Sequence, residues 1–244
     1  MAGLGIVIPR TGPGTGPTIP VALHGNGVTG ATHRYVPERL NLAAGASVAS
    51  IPDLIGSASL GLIGAASAPS PVIAETGGQK YLEFTAGVSN KQMSTSVDIG
   101  AAFTFATVLR VTDASWVGLI ADGYAIGVLG NGTWVLRGWT GTAVGSVAGP
   151  ARTSDFVVLF GIGASAASRL ALSSNAYVSA DAGTITAPNP SDADKLIWGS
   201  SFAPTAGSKQ NIVEQNIWPF ALDATQRAAH VAAMKSKWTA LLTT

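Results

Sequence analysis

The chain contains no cysteine in 244 residues, which removes a disulfide framework and thiolate chemistry from consideration. It is also poor in charge: Asp, Glu, Lys and Arg make up 11% of the residues, and the formal net charge is +1. Broad electrostatic binding to nucleic acid needs a basic face, so no nucleic-acid partner is expected. Sparse surface charge suits a protein whose exterior is partly covered in an assembly. Long hydrophobic runs are missing too. The longest, residues 156–162, falls far short of the ~20 residues that cross a bilayer, so no membrane insertion is expected. Residues 1–10 lack both a charged leader and a sustained apolar stretch, so no signal peptide is read there and a soluble chain made in the cytoplasm is expected.

What is present is clearest near the C-terminus. Residues 210–218 read as a strand that turns at Pro219, and Asp223 followed by Gln226 forms a capping-box pattern. A helix over 223–241 follows, with Val231, Met234, Trp238 and Leu241 as its inner stripe and Arg227, His230, Lys235 and Lys237 turned to water or a partner. No upstream segment reads as helical. Phe103 to Val111 is β-branched and aromatic, and Asp122-Gly123 and Asn131-Gly132 mark tight hairpin turns within a three-strand meander. Strands are also expected at 155–163, 169–172, 176–179 and 195–199. Roughly a dozen short strands with no helical interlude predict an all-β, two-sheet antiparallel β-sandwich closed by one C-terminal helix.

Residues 1–30 include a Gly/Pro-rich stretch that cannot hold a helix, and residues 31–244 carry the strand pattern. The first segment reads either as a disordered tail or as an extended arm that orders against a neighbouring subunit.

Four segments carry a family likeness. Leu40 to Gly56 resembles the opening of a concanavalin A-like lectin/glucanase (LamG-type) jelly roll of bacteriophage virion proteins, with Ile51 where that family often has Trp. Gly78 to Phe84 resembles its next strand, with Thr85-Ala86-Gly87 in place of an Asp-Gly ending. Phe103 to Val108 is similar to the strand after that, and Ile212 through Trp238 to the closing strand and helix. The resemblance covers residues 33–240 in the right order. It implies a concanavalin A-like jelly roll with the helix over one edge or end, and a virion surface protein decorating the head or forming part of the tail. It further implies assembly with other virion proteins and with copies of itself through the N-terminal arm, and binding of host-surface carbohydrate as a family tendency. An adhesion module that binds carbohydrate is the alternative.

A glycoside hydrolase would need two carboxylates set across the scissile bond. The chain has four glutamates (Glu38, Glu75, Glu83 and Glu214), well separated in sequence, and Glu214 is followed by Gln215-Asn216. No catalytic residue is assigned, and Glu214 is read as a structural anchor beside Asp223 and Trp238. His24, His33 and His230 lack ligand spacing, so neither metal nor cofactor is expected. Asp192 and Asp194, in a Pro/Ser loop, are either weak calcium candidates or a polar turn. Sugar rings stack on exposed indoles, which makes Trp139, Trp134 and Trp116 the carbohydrate-binding candidates, with core packing the competing role of each.

Overall fold

The structure, a computed structural model of the chain, describes residues 27–64, 68–84, 92–97, 102–112, 119–121, 124–128, 132–139, 143–151, 153–163, 168–173, 179–183, 195–199 and 210–242. Three antiparallel sheet segments form two layers. The large sheet is centred on β16 (Gln210–Trp218), which pairs with β7 (Phe103–Val111) on one side. On its other side β16 pairs with β5 (Gln79–Phe84) along one half and with β1 (His33–Tyr35) along the other. Beyond β7 the sheet continues through β12 (Val157–Gly163), β13 (Ser168–Ser173) and β14 (Ser179–Gly183); beyond β5 it ends at β4 (Val72–Thr76).

The opposing layer has two parts. One part runs β15 (Lys195–Trp198), β6 (Gln92–Ser96), β3 (Leu60–Ile63), β2 (Ser50–Ile51). The other is the meander read from the sequence: β8 (Leu119–Ala121), β9 (Tyr124–Val128) and β10 (Thr133–Trp139), extended by β11 (Ala143–Ala151). Strands β15 and β8 lie alongside each other, which joins the two parts. The fold is the expected all-β jelly-roll sandwich.

Strand alternation decides what each face of the large sheet meets. Leu82, Phe84, Phe105, Leu109, Leu159 and Ile212 point inward and pack on Ile51, Leu60, Met93, Leu136, Leu196 and Trp198 of the opposing layer. The residues between them point outward, where Ala106, Val108, Val158, Phe160, Val213 and Trp218 form a second apolar surface. The helix α1 (Ala224–Lys237) packs on that surface through Met234 and Trp238. It therefore covers the outer face of the large sheet, not an edge or end. The largely apolar outer face of β7, β12 and β16 is too large to leave in water, and α1 is the element that buries it.

Two expectations about local structure change. Pro37–Leu40 forms a short 3₁₀ turn, which Pro37 starts and Asn41 ends in the left-handed region at φ 54°. A single turn of this length has no apolar period to reveal it in sequence. The inner face of α1 is also rotated from the expected stripe. Arg227, His230, Met234 and Trp238 are buried, while Val231 is only partly so. His230 is fully buried, edge-on to the rings of Trp218 (5.1 Å) and Phe160 (5.7 Å). Arg227 folds back to donate to the Leu222 carbonyl at 2.7 Å. The carbonyl offsets the cost of burying Arg227, and the His230 ring is held by its packing between Trp218 and Phe160.

The helix ends are well fastened. The Asp223 carboxylate accepts from the Gln226 amide at 2.8 Å, and the Gln226 side-chain oxygen accepts from the Asp223 amide at 2.9 Å. At the other end Gln79, from the β4–β5 hairpin, donates to the Lys237 carbonyl and accepts from the Ala240 amide. Residues 27–31, at the junction of arm and sandwich, lie against the helix: Val28 and Ala31 are buried there, and a Cβ on Gly27 would come within 2.6 Å of the Ala229 carbonyl oxygen. The rest of the arm lies outside the described residues.

Candidate functional site

The densest polar chemistry lies under the end of α1. A one-residue register shift between Ile212 and Glu214 sets both Val213 and Glu214 on the helix side of β16, with Glu214 opposite Val108. A carboxylate is thereby placed at the centre of an apolar face, fully buried. Four donors surround it. Oε1 accepts from Arg34 Nε at 2.8 Å and from Asn216 Nδ2 at 3.2 Å. Oε2 accepts from Lys237 Nζ at 2.5 Å and Trp238 Nε1 at 3.0 Å.

Burial by itself would raise the Glu214 carboxyl. The Lys237 ammonium and Arg34 guanidinium, helped by hydrogen bonds from Lys237 and Asn216, outweigh it and hold the group below the ordinary carboxylate range. Lys237 moves down from the usual lysine value: burial is the largest cause, and repulsion from Arg34 and Arg39 adds to it against the pull of Glu214. A carboxylate with both oxygens engaged in this way is a poor base and a poor nucleophile. What it does is join β1, β16 and the end of α1. Sequence reading singled out Glu214 and Trp238 but missed Arg34, Asn216 and Lys237. The signal available was the lone acid of the closing strand, which demands a cation from somewhere once it is buried.

A second cluster was not anticipated. Asp53 accepts from His33 Nδ1 at 2.6 Å, from the Arg34 amide at 2.9 Å and from the Ile55 amide at 3.1 Å. Burial would raise this carboxyl, and the hydrogen bonds from His33, Arg34, Ile55 and Gly56 bring it below its usual value. Gly56 is needed here, because a Cβ would stand 2.5 Å from the Asp53 carboxylate and 2.9 Å from His33 Nδ1. The cluster pins the 53–56 loop to β1. Tyr35, next on that strand, donates to the Ala58 carbonyl, and burial followed by the Asp53 charge pushes its hydroxyl well above the usual phenol value.

The remaining sequence candidates separate. Trp134 is in the inter-sheet core at 1% exposure, so it is not open to a surface ligand; its place on β10 points the indole at the opposing sheet. Trp139 ends β10, and its side chain lies outside the described residues. Trp116, Asp192 and Asp194 also lie outside them. Among the described residues, no group of three or more His, Cys, Asp or Glu side chains is placed to hold a metal ion. No described helix is long and apolar enough to cross a membrane.

No protein-family model matches the sequence, and no curated protein is similar to it. Solved structures do share the fold. The binding domain of botulinum neurotoxin serotype C1 superposes with a TM-score of 0.60 at 8% identity, over 86% of this chain and 53% of that one. The binding domain of botulinum neurotoxin DC in complex with rat synaptotagmin II gives 0.57 at 9% identity, over 79% and 52%. A structure of botulinum neurotoxin type C, whose cell entry is described as dependent upon interaction with two ganglioside molecules, gives 0.53 at 10% identity, over 79% and 52%. The chain spans about half the length of these structures. At such identities the likeness is one of architecture: this chain has the β-sandwich fold that these binding domains contain.

Proposed function

We propose that the chain is a non-catalytic recognition module: a concanavalin A-like jelly roll that binds carbohydrate on the surface of a bacteriophage particle, as head decoration or as part of the tail. The observation that carries the non-catalytic half is the state of Glu214. The acid on the closing strand is sealed under α1 and saturated with donors, and so is withdrawn from acid–base work. Recognition is supported by the architecture shared with receptor-binding domains, one of them described through its interaction with gangliosides. The virion setting is supported by the family resemblance of four segments and by the low surface charge. In this reading the N-terminal arm makes the contacts with other virion proteins and with further copies of the chain.

The test is a glycan array with the intact chain and a Trp139→Ala variant, run beside a polysaccharide-turnover assay. Binding to at least one glycan class without turnover is expected, with the signal weakened by loss of the indole. Turnover above background would overturn the non-catalytic reading. For the particle, antibody labelling of purified virions is expected to mark heads or tails, and unlabelled particles would refute that placement.

A further inference from the structure

One row of side chains on the outer face of the large sheet is used by neither the helix nor the buried ion cluster. Glu83 on β5, Asn211 on β16 and Arg110 on β7 are direct register partners across three adjacent strands. They sit on the same side of the sheet as Tyr81 and Val108, beyond the stretch of β16 that α1 covers. Asn211 is buried, and it links its neighbours: its Nδ2 donates to Glu83 Oε2 at 3.0 Å, and its Oδ1 accepts from Arg110 Nε at 3.3 Å. The guanidinium is also held from below, 4.6 Å from the Phe156 ring centroid and 5.9 Å from that of Tyr81.

The row is fixed yet chemically incomplete. Glu83 and Arg110 form no ion pair with each other, because the amide of Asn211 stands between them. The terminal nitrogens of Arg110 and Oε1 of Glu83 meet no side-chain partner among the described residues, although both residues are only half-buried. An acceptor at one end and donors at the other are therefore presented to the surface in fixed positions. Two strand spacings separate the ends, about 10 Å. That is a match for two linked sugar rings, whose vicinal hydroxyls both donate and accept. Binding to such a row costs little ordering, since the packing on Phe156 and the bonds through Asn211 have already fixed the side chains.

We propose that Glu83, Asn211 and Arg110 form a shallow subsite for a neutral oligosaccharide, with Glu83 accepting from ring hydroxyls and Arg110 donating to them. This rests on the carbohydrate-binding reading above and places a subsite on the layer opposite the one that carries Trp139. The probe is a panel of neutral di- to tetrasaccharides on an array, followed by calorimetric titration of the best binder. Wild type is compared with Glu83→Gln, Arg110→Gln, Arg110→Lys and Trp139→Ala, with thermal melts to check folding. Each of Glu83→Gln and Arg110→Gln is expected to weaken binding about ten-fold or more, as loss of a hydrogen bond to a charged group does. Arg110→Lys keeps the charge but loses the planar fork, and is expected to fall between. Should Arg110→Gln fail to fold, Glu83→Gln decides the matter. Unchanged affinity in the folded Glu83 and Arg110 variants, with loss in Trp139→Ala, would overturn this subsite and leave the functional reading standing. A wild-type protein that binds no saccharide would overturn both.

Discussion

On its inner face the large sheet meets the opposing layer through Leu82, Phe84, Phe105, Leu109 and Ile212, with the uncharged Thr107–Gln215 pair and Gln210 buried on the same side. On its outer face it meets α1 through a comparable apolar surface with a saturated carboxylate at its centre. The inner contact is tolerant: many hydrophobic combinations of similar volume would hold two sheets together. The outer contact is selective. Glu214 is satisfied only when Arg34, Asn216, Lys237 and Trp238 all arrive, so one placement of the helix is favoured over sliding along the sheet. Area sets how strongly α1 is held, and the ion cluster sets where.

That contrast can be broken most sharply at Glu214. Glu214→Ala leaves the buried Arg34 and the half-buried Lys237 without their anion and is expected to cost about 4–5 kcal/mol by urea unfolding at neutral pH, within the range for a broken buried pair. The carboxyl is held below its usual value in the fold, so its contribution is whole above the unfolded value near 4.5 and is lost as pH falls through the lower folded value. The deficit of Glu214→Ala against wild type should therefore shrink in acid. A deficit that is the same at low and neutral pH would mean that packing, not charge, anchors the helix.

Trp238→Ala comes next, at about 4 kcal/mol, because it removes a fully buried indole and one of the four donors to Glu214. A double-mutant cycle with Glu214→Ala should show strong coupling, and simple additivity would count against the shared role. On the inner face, Leu82→Ala should cost about 3 kcal/mol through the cavity it leaves. Its urea midpoint shift is expected to be independent of pH, and a pH-dependent cost would erase the distinction between the faces. The smallest effect is expected at the exposed cap, where Asp223→Ala should cost about 1 kcal/mol. A neutral outcome there would show that the packed face alone fixes the start of the helix.

What could be read from the sequence follows from how local each signal is. Strands β7 and β16, the meander order of β8 to β10, and the Asp223–Gln226 cap all depend on residues within one segment, and their patterns are explicit. Glu214 is the lone acid of the closing strand, but its partner Arg34 lies 180 residues away, and no spacing rule connects them. His230 and Arg227 were assigned to water because their types usually go there; the rings of Trp218 and Phe160 and the Leu222 carbonyl reverse that preference. The same bias hid Lys237, whose anion comes from the sheet below. The row Glu83–Asn211–Arg110 exists only because three strands from distant parts of the chain share a register.

Strand β16 also sets the order in which the protein can be completed. It follows every other strand in the chain, yet it occupies the middle of the large sheet, between β7 on one flank and β5 and β1 on the other. While a ribosome has yet to deliver residues 210–218, the β4–β5 hairpin and the β7–β12–β13–β14 group have no strand to join them, and each shows an open edge. Only this late segment joins the pieces into one sheet and brings α1 down over it. A chaperone that shields those edges is expected to raise the yield of folded protein.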